Sequence, residues 1–253
     1  MAKTIGQLTQ ATTLASGDEF VIEQSGLTKR VAASVVRGGL INADIDAAAA
    51  IAHTKLANIT AGRVLLGNAS NVPTATELTG DVTVGNTGVT TLARPLTLAT
   101  AQATTSGTSI DFTGIPSWVK RITVMLNGVS TNGSTSPLIQ IGDGSIQSSG
   151  YSCGSRDTTT TTAGTGNGST AGFILASTGG GNVLTGHIVL TLVSSNTWCG
   201  SHNIYLTIGG NHYSLVGAGI SPALSGVLDR IRLTTVNGID TFDAGSVNIM
   251  YEG

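Results

Sequence analysis

Seven carboxylates within residues 95–253, Asp111, Asp143, Asp157, Asp229, Asp240, Asp243 and Glu252, are the residues best suited to acid–base chemistry. Cleaving a glycosidic bond takes two such groups flanking one groove, one protonated and one ionised. None of the seven forms a recognisable pair along the sequence. Asp143 lies in Gly142-Asp143-Gly144, which reads as a turn, and Asp229-Arg230 reads as the solvated face of a strand. No catalytic residue is assigned, and the chain is read as non-enzymatic. The four histidines, His53, His187, His202 and His212, include no His-x-His pair, and no metal ligand is assigned. Cys153 and Cys199 sit beside glycines and are read as small buried hydrophobes; two cysteines are too few for a disulfide framework or a four-ligand zinc site. The glycine-rich runs at 142–144 and 164–168 lack the strand–loop–helix context of a phosphate loop. No cofactor is assigned.

Binding is the better use of these residue types. Tyr151, Arg156, Asp157, Trp198, His202 and Tyr213 are the candidate receptor contacts. Residues 151–170, with a threonine run at 158–162 followed by glycine-rich sequence, read as a long exposed loop, and long loops in compact domains are usually functional or mobile. Aromatic rings beside Asn and Ser suit sugars, because an apolar face is combined with hydrogen-bonding neighbours. Trp198 fits a core position as well as a binding surface.

These residues must be positioned by a chain of unusual composition. Of 253 residues 10% are charged and 4% aromatic, against roughly 25% charged in an average soluble protein. Gly is present 35 times. Thr, Ser and Asn supply most of the polarity, and β-branched Thr favours strands. The fold class is therefore mainly β with many glycine turns. A net charge of −2 gives no basic face for nucleic acid. No run approaches the ~20 apolar residues of a membrane span, and the N-terminus shows no signal-peptide h-region.

Three segments are expected. Residues 1–37 contain a hairpin, with Asp18-Glu19-Phe20-Val21-Ile22-Glu23 returning as Thr28-Lys29-Arg30-Val31. A lone hairpin is marginal in water and needs another surface, so this one reads as a plug. Residues 38–94 begin with an Ala-rich helix in which Ile45, Ala49, Ala52 and Leu56 are spaced 4, 3 and 4 apart, a candidate trimer seam; a plain linker helix is the alternative. From 57 to 94 short apolar runs alternate with Gly and Asn, and none is long enough to bury itself. An intertwined β shaft of several chains would cover them, where a disordered linker would be poorer in Val, Leu and Ile. Residues 95–253 read as an antiparallel β-sandwich, jelly-roll-like, with strands at 109–112, 119–127, 138–141, 147–153, 171–176, 187–193, 198–208, 212–218, 227–236 and 246–251. Alternation is clearest in Ile122, Val124 and Leu126, in Ile188, Leu190 and Leu192, and in Ile204, Leu206 and Ile208.

Several of these segments resemble known sequences. Ile5-Gly6-Gln7-Leu8-Thr9-Gln10-Ala11-Thr12-Thr13-Leu14, with Gly17-Asp18-Glu19-Phe20-Val21 and Thr28-Lys29-Arg30-Val31, resembles the attachment ends of bacteriophage tail-fibre and appendage proteins. Ala50-Ile51-Ala52-His53-Thr54-Lys55-Leu56 and Ala61-Gly62-Arg63-Val64-Leu65-Leu66-Gly67-Asn68 are similar to segments of fibre shafts. Ser109 to Val124 and Phe242 to Glu252 look like the opening and close of a terminal fibre domain. The resemblance implies a homotrimer in the virion tail, made in the host cytoplasm without a signal peptide. It implies an N-terminal region docked on other tail or baseplate proteins, and a C-terminal domain that meets a host cell-surface glycan or protein. The shaft is short for a long fibre, which leaves open a head fibre, a capsid decoration protein, or an adaptor carrying a separate receptor-binding protein.

Overall fold

A computed structural model describes residues 19–32, 45, 58–158, 166–176 and 182–253. The chain divides into two compact units between Thr60 and Ala61. In the first, β1 (Glu19–Gln24) and β2 (Leu27–Ala32) form the expected antiparallel hairpin, with Gln24 opposite Leu27. Its two-residue turn, Ser25-Gly26, has both φ angles positive, at 55° and 74°. That geometry matches the right-handed twist of the two strands it joins. No helix occurs among the described residues. Of the candidate seam, Ile45 is exposed in a bend, while Ala49, Ala52 and Leu56 lie outside the described residues.

The second unit opens with two small hairpins, β3 (Arg63–Gly67) with β4 (Pro73–Glu77) and β5 (Val82–Val84) with β6 (Thr90–Leu92). The Asn68 side-chain oxygen shapes the first turn by accepting from the amides of Ser70 and Val72 at 2.9 and 3.0 Å. This corrects one premise of the intertwined-shaft expectation, since each strand finds its neighbour in its own chain. It does not remove the physical difficulty. Leu65, Leu66, Val72, Val82, Val89 and Leu92 remain 39–64% exposed. The flanking ion pairs Arg63–Glu77 and Arg94–Asp81, at 4.0 and 3.6 Å, are solvent-exposed and contribute little.

Sheet membership changes at Pro95. The strands that follow are β7 (Thr97–Leu98), β8 (Gln102–Ala103), β9 (Ser109–Thr113), β10 (Arg121–Thr131), β11 (Pro137–Asp143), β12 (Ser145–Ile146) and β13 (Ser152–Asp157). They continue as β14 (Gly166–Ser169), β15 (Phe173–Ile174), β16 (Val183–Ser194), β17 (Thr197–Ile208), β18 (Asn211–Ile220), β19 (Arg230–Thr235) and β20 (Phe242–Glu252). One antiparallel sheet has nine strands in the order β14-β13-β18-β17-β16-β10-β20-β7, with β8 also on β20. The other has five, β12-β11-β19-β9 with β15 on β11. The β16-β17-β18 meander and this nine-and-five division differ from the eight strands and two Greek keys of a jelly roll.

Both sheets contribute to one apolar core. The nine-stranded sheet supplies Ile122, Val124, Leu190, Trp198, Ile204 and Ile249, and the five-stranded sheet supplies Ile110, Phe112, Ile139, Ile141, Ile231 and Leu233. Alternation explains which residues enter, except where bulges on β10 and β20 shift the period. Against both β16 and β20, β10 carries one extra residue after Leu126, a bulge at Asn127-Gly128 where Gly128 has φ +66°. The bulge resets the period of two, so Val129 points inward although it is three residues from Leu126.

Candidate functional site

Strand register on the five-stranded sheet builds an outward-facing polar groove. Asp111, Arg232 and Gln140 stand side by side across β9, β19 and β11, and Ser109 stands beside Thr234 in the next row. Because Ile231 and Leu233 face the core, Arg232 and Thr234 must face out. With Ser148, Ala171 and the turn at Asn237-Gly238, Ser109, Gln140, Arg232 and Thr234 line a cavity of about 260 Å³, and Asp111 stands beside it on Arg232. The Arg232 guanidinium holds Asp111 through two parallel bonds of 2.7 Å, which pushes the pKa of Arg232 upward and keeps it a fixed cation. Gln140 donates to the Ala171 carbonyl at 2.9 Å and Thr234 to the Thr108 carbonyl at 2.8 Å. The groove is thus neutral overall, rich in hydroxyl and amide groups, and held in one geometry by cross-strand bonds.

Carboxylates elsewhere in this unit fasten loops. Asp240 accepts from Asn237 Nδ2, Thr135 Oγ1 and Thr135 N at 2.6, 2.6 and 3.0 Å, which holds its pKa below the usual carboxylate range. Asp229 is held low by the Arg230 guanidinium, at 2.8 and 3.1 Å, and also accepts from the Gly144 amide at 3.0 Å. Asp143 accepts from Ser225 Oγ at 2.6 Å and from the Gly226 amide. Among the described residues no three His, Cys, Asp or Glu gather as a metal site would require.

The six receptor candidates do not come together. Tyr151, Trp198 and His202 are interior, at 2, 2 and 7% exposure, and cannot touch a ligand on the folded domain. The Tyr151 hydroxyl accepts from the Ile141 amide at 2.9 Å and donates to the Gln147 carbonyl at 3.0 Å, while burial pushes its pKa to about 12. Its ring meets Phe173 edge-on, with centroids 5.3 Å apart. Tyr151→Phe should cost about 1–3 kcal/mol, because the Ile141 N–H loses its buried acceptor. Urea midpoints of the two proteins at pH 7 read this directly, and equal midpoints would show that the bond contributes nothing. Arg156 is exposed on β13, Asp157 is partly exposed beside it, and Tyr213 on β18 packs half-buried against the core. Residues 151–170 are not one long loop. β13 and β14 pair within them, Cys153 with Ser169 through Arg156 with Gly166, and 159–165 lie outside the described residues.

His202 occupies a slot between strands. Its Nε2 is 3.0 Å from Ser155 Oγ, and that hydroxyl lies 3.3 Å from the Leu175 carbonyl. Both bonds are satisfied when Nε2–H donates to Ser155 and Ser155 donates to Leu175, so Nε2 carries a proton. Burial lowers its pKa to about 4. Position 217 must be glycine for the ring to fit, since a Cβ there would lie 2.2 Å from His202 Cε1. Both cysteines are free thiols: Cys153 is half-buried against the Gly172 carbonyl at 2.8 Å, and Cys199 is exposed.

With the geometry established, comparison with protein-family models, curated proteins and solved structures finds no match for this chain. The groove residues Ser109, Gln140, Arg232 and Thr234 were not among the sequence candidates, and Asp111 was weighed there only as a carboxylate without a partner. Asp111 and Arg232 are 121 positions apart, and only the β9–β19 register brings them together.

Proposed function

We propose that this chain is a non-catalytic structural component of a bacteriophage virion, a tail fibre that assembles as a homotrimer. In this reading the N-terminal region docks on tail or baseplate proteins, and residues 95–253, a β-sandwich built from the two sheets, contact a host-surface glycan or protein. The observation that carries the reading is the exposure of six large apolar side chains on two hairpins that have no core of their own. Two-stranded hairpins are barely stable alone, and exposed apolar clusters mark association sites. Neighbouring copies supply the missing cover. The resemblance of the hairpin segment and of the N-terminal segment to fibre proteins points the same way. Polar grooves such as that around Arg232 are the surfaces through which the C-terminal domain would meet its receptor.

Light scattering of the purified full chain should give three times the 25.4 kDa of one protomer. A stable folded monomer would overturn the assembly. Antibody-labelled virions imaged by electron microscopy should carry the label at the tail; label on the head surface would make the chain a head fibre or decoration protein instead.

A further inference from the structure

The outward face of the nine-stranded sheet poses a separate question, because it is broad and nearly without charge. The strand registers place Leu98, Met250, Thr123, Val189, Ser201, Ala218, Gly154 and Gly168 in one row across β7, β20, β10, β16, β17, β18, β13 and β14. Every member faces away from the core, since Ile122, Val124, Ile188, Leu190, Ile204 and Ile249 on either side face into it. No member can ionise. On the wider face, the pair Arg121–Glu252, joined at 3.2 Å, occupies one corner, and Arg156 lies toward the opposite edge. Strands β16, β17 and β18, of 12, 12 and 10 residues, contain no Asp, Glu, Lys or Arg. A solvated sheet face ordinarily carries roughly a quarter to a third charged side chains, which keeps such surfaces apart.

We infer that this face is a contact surface for a second copy of the same chain. Three observations select that occupant. The first is area: the five strands β20, β10, β16, β17 and β18, at about 4.8 Å spacing and about 3.3 Å per residue, present roughly 850 Å². In a three-fold ring each copy meets two neighbours, so this face divides into two contacts of roughly 400 Å² per partner, and the exposed hairpin side chains bring the total toward the roughly 800 Å² per partner of a standard interface. The second is charge: apart from the paired Arg121–Glu252 at one corner and Arg156 near the edge, the face carries none, so two such faces meet with little charge stranded, whereas a strongly charged partner would find few counter-charges here. The third is continuity along the chain: the row ends at Leu98, which is 63% exposed and lies two residues after exposed Leu96, in the stretch that directly follows the hairpins whose apolar side chains the homotrimer reading already assigns to neighbouring copies.

Relief along the row fits a head-to-tail contact. The larger side chains of the row, Leu98, Met250 and Val189 with Thr123 between them, lie toward one end and make a ridge by their size, while the small residues Ser201, Ala218, Gly154 and Gly168 leave a trough at the other. The ridge of one copy fills the trough of the next, which is the heterologous contact that a closed three-fold ring uses.

This inference rests on the homotrimer reading, and Cys199 tests the two separately. Cys199 is exposed in the single chain and stands on the same face, beside Thr191 and Ile220. In full-length Cys153→Ser protein it is the only thiol. Ellman's reagent should react with it about tenfold or more slowly in the native oligomer than in denaturant. Ala218→Arg places a long charged side chain in the trough and should restore fast labelling, with the far-UV dichroism unchanged. Ser201→Lys does the same at the neighbouring position should Ala218→Arg fail to fold. A trimer whose Cys199 reacts at the denatured rate overturns the face contact and leaves the fibre reading intact. Protection that survives both trough variants also overturns it, and a monomer by light scattering overturns both proposals.

Discussion

Replacing Trp198 with Ala should lower the stability of the C-terminal β-structure by about 3–5 kcal/mol, the range for emptying a core position of an indole. The side chain is among the largest fully buried ones and belongs to the core shared by the two sheets. It is fixed by the chain around it, since its amide accepts no slack: Trp198 N donates to Ser221 Oγ at 3.0 Å, and its carbonyl receives the Ser221 amide at 2.8 Å. That pair of bonds ties the start of β17 to the segment after β18. Urea unfolding of the full chain at pH 7 measures the loss. The result separates two roles for the residue. A receptor contact would leave the midpoint unchanged and abolish cell adsorption, whereas a core residue moves the midpoint first. Trp198→Phe, which keeps most of the buried area, should cost clearly less than the Ala variant.

Acidification should be the second large effect, and it should act through His202. Burial lowers the imidazole pKa to about 4 in the folded chain, below its ordinary 6.5. Between those values the unfolded chain binds the proton and the folded chain does not, so stability rises with pH across this window. The contribution is complete above pH 6.5 and is lost as the pH falls to about 4. The difference corresponds to about 3 kcal/mol. Asp229 and Asp240 have depressed values, so their stabilising bonds are lost only at still lower pH and fall outside the window. Urea midpoints at pH 7.0 and 4.5 should differ in the natural chain and converge in His202→Gln, which cannot ionise. Equal midpoints in the natural chain would show that protonated His202 is accommodated without cost.

Much of the β-structure was legible in the residues. The runs at 198–208 and 212–218 appear as β17 and β18 with ends moved by at most two residues, because alternating apolar side chains mark a half-buried strand directly. The expected strand 119–127 extends to Thr131, since the Gly128 bulge breaks the period that would have signalled its continuation. β14, Gly166–Ser169, could not be read at all. Its sequence GNGS has no apolar residue, and it is a strand only because β13 offers it hydrogen bonds. For the same reason 151–170 looked like a loop.

The candidate site shows the opposite balance. Residue type alone marked Tyr151, Trp198 and His202 as suited to binding, but the same large, partly polar side chains serve equally in a core, and burial put them there. The groove around Arg232 depends on pairing between β9, β19 and β11, whose members are far apart in the chain. By itself the sequence determined that this protein is mainly β, that the inward positions of its clearest strands are Ile, Val and Leu, and that the short apolar runs of residues 57–94 cannot cover themselves. Side-chain period and local turn chemistry are enough for that. Which residues share a face, where the uncharged row from Leu98 to Gly168 runs, and which polar groups line one groove were decided only by the tertiary structure. Register between distant strands is set by the fit of the whole core, and no local stretch of sequence records it.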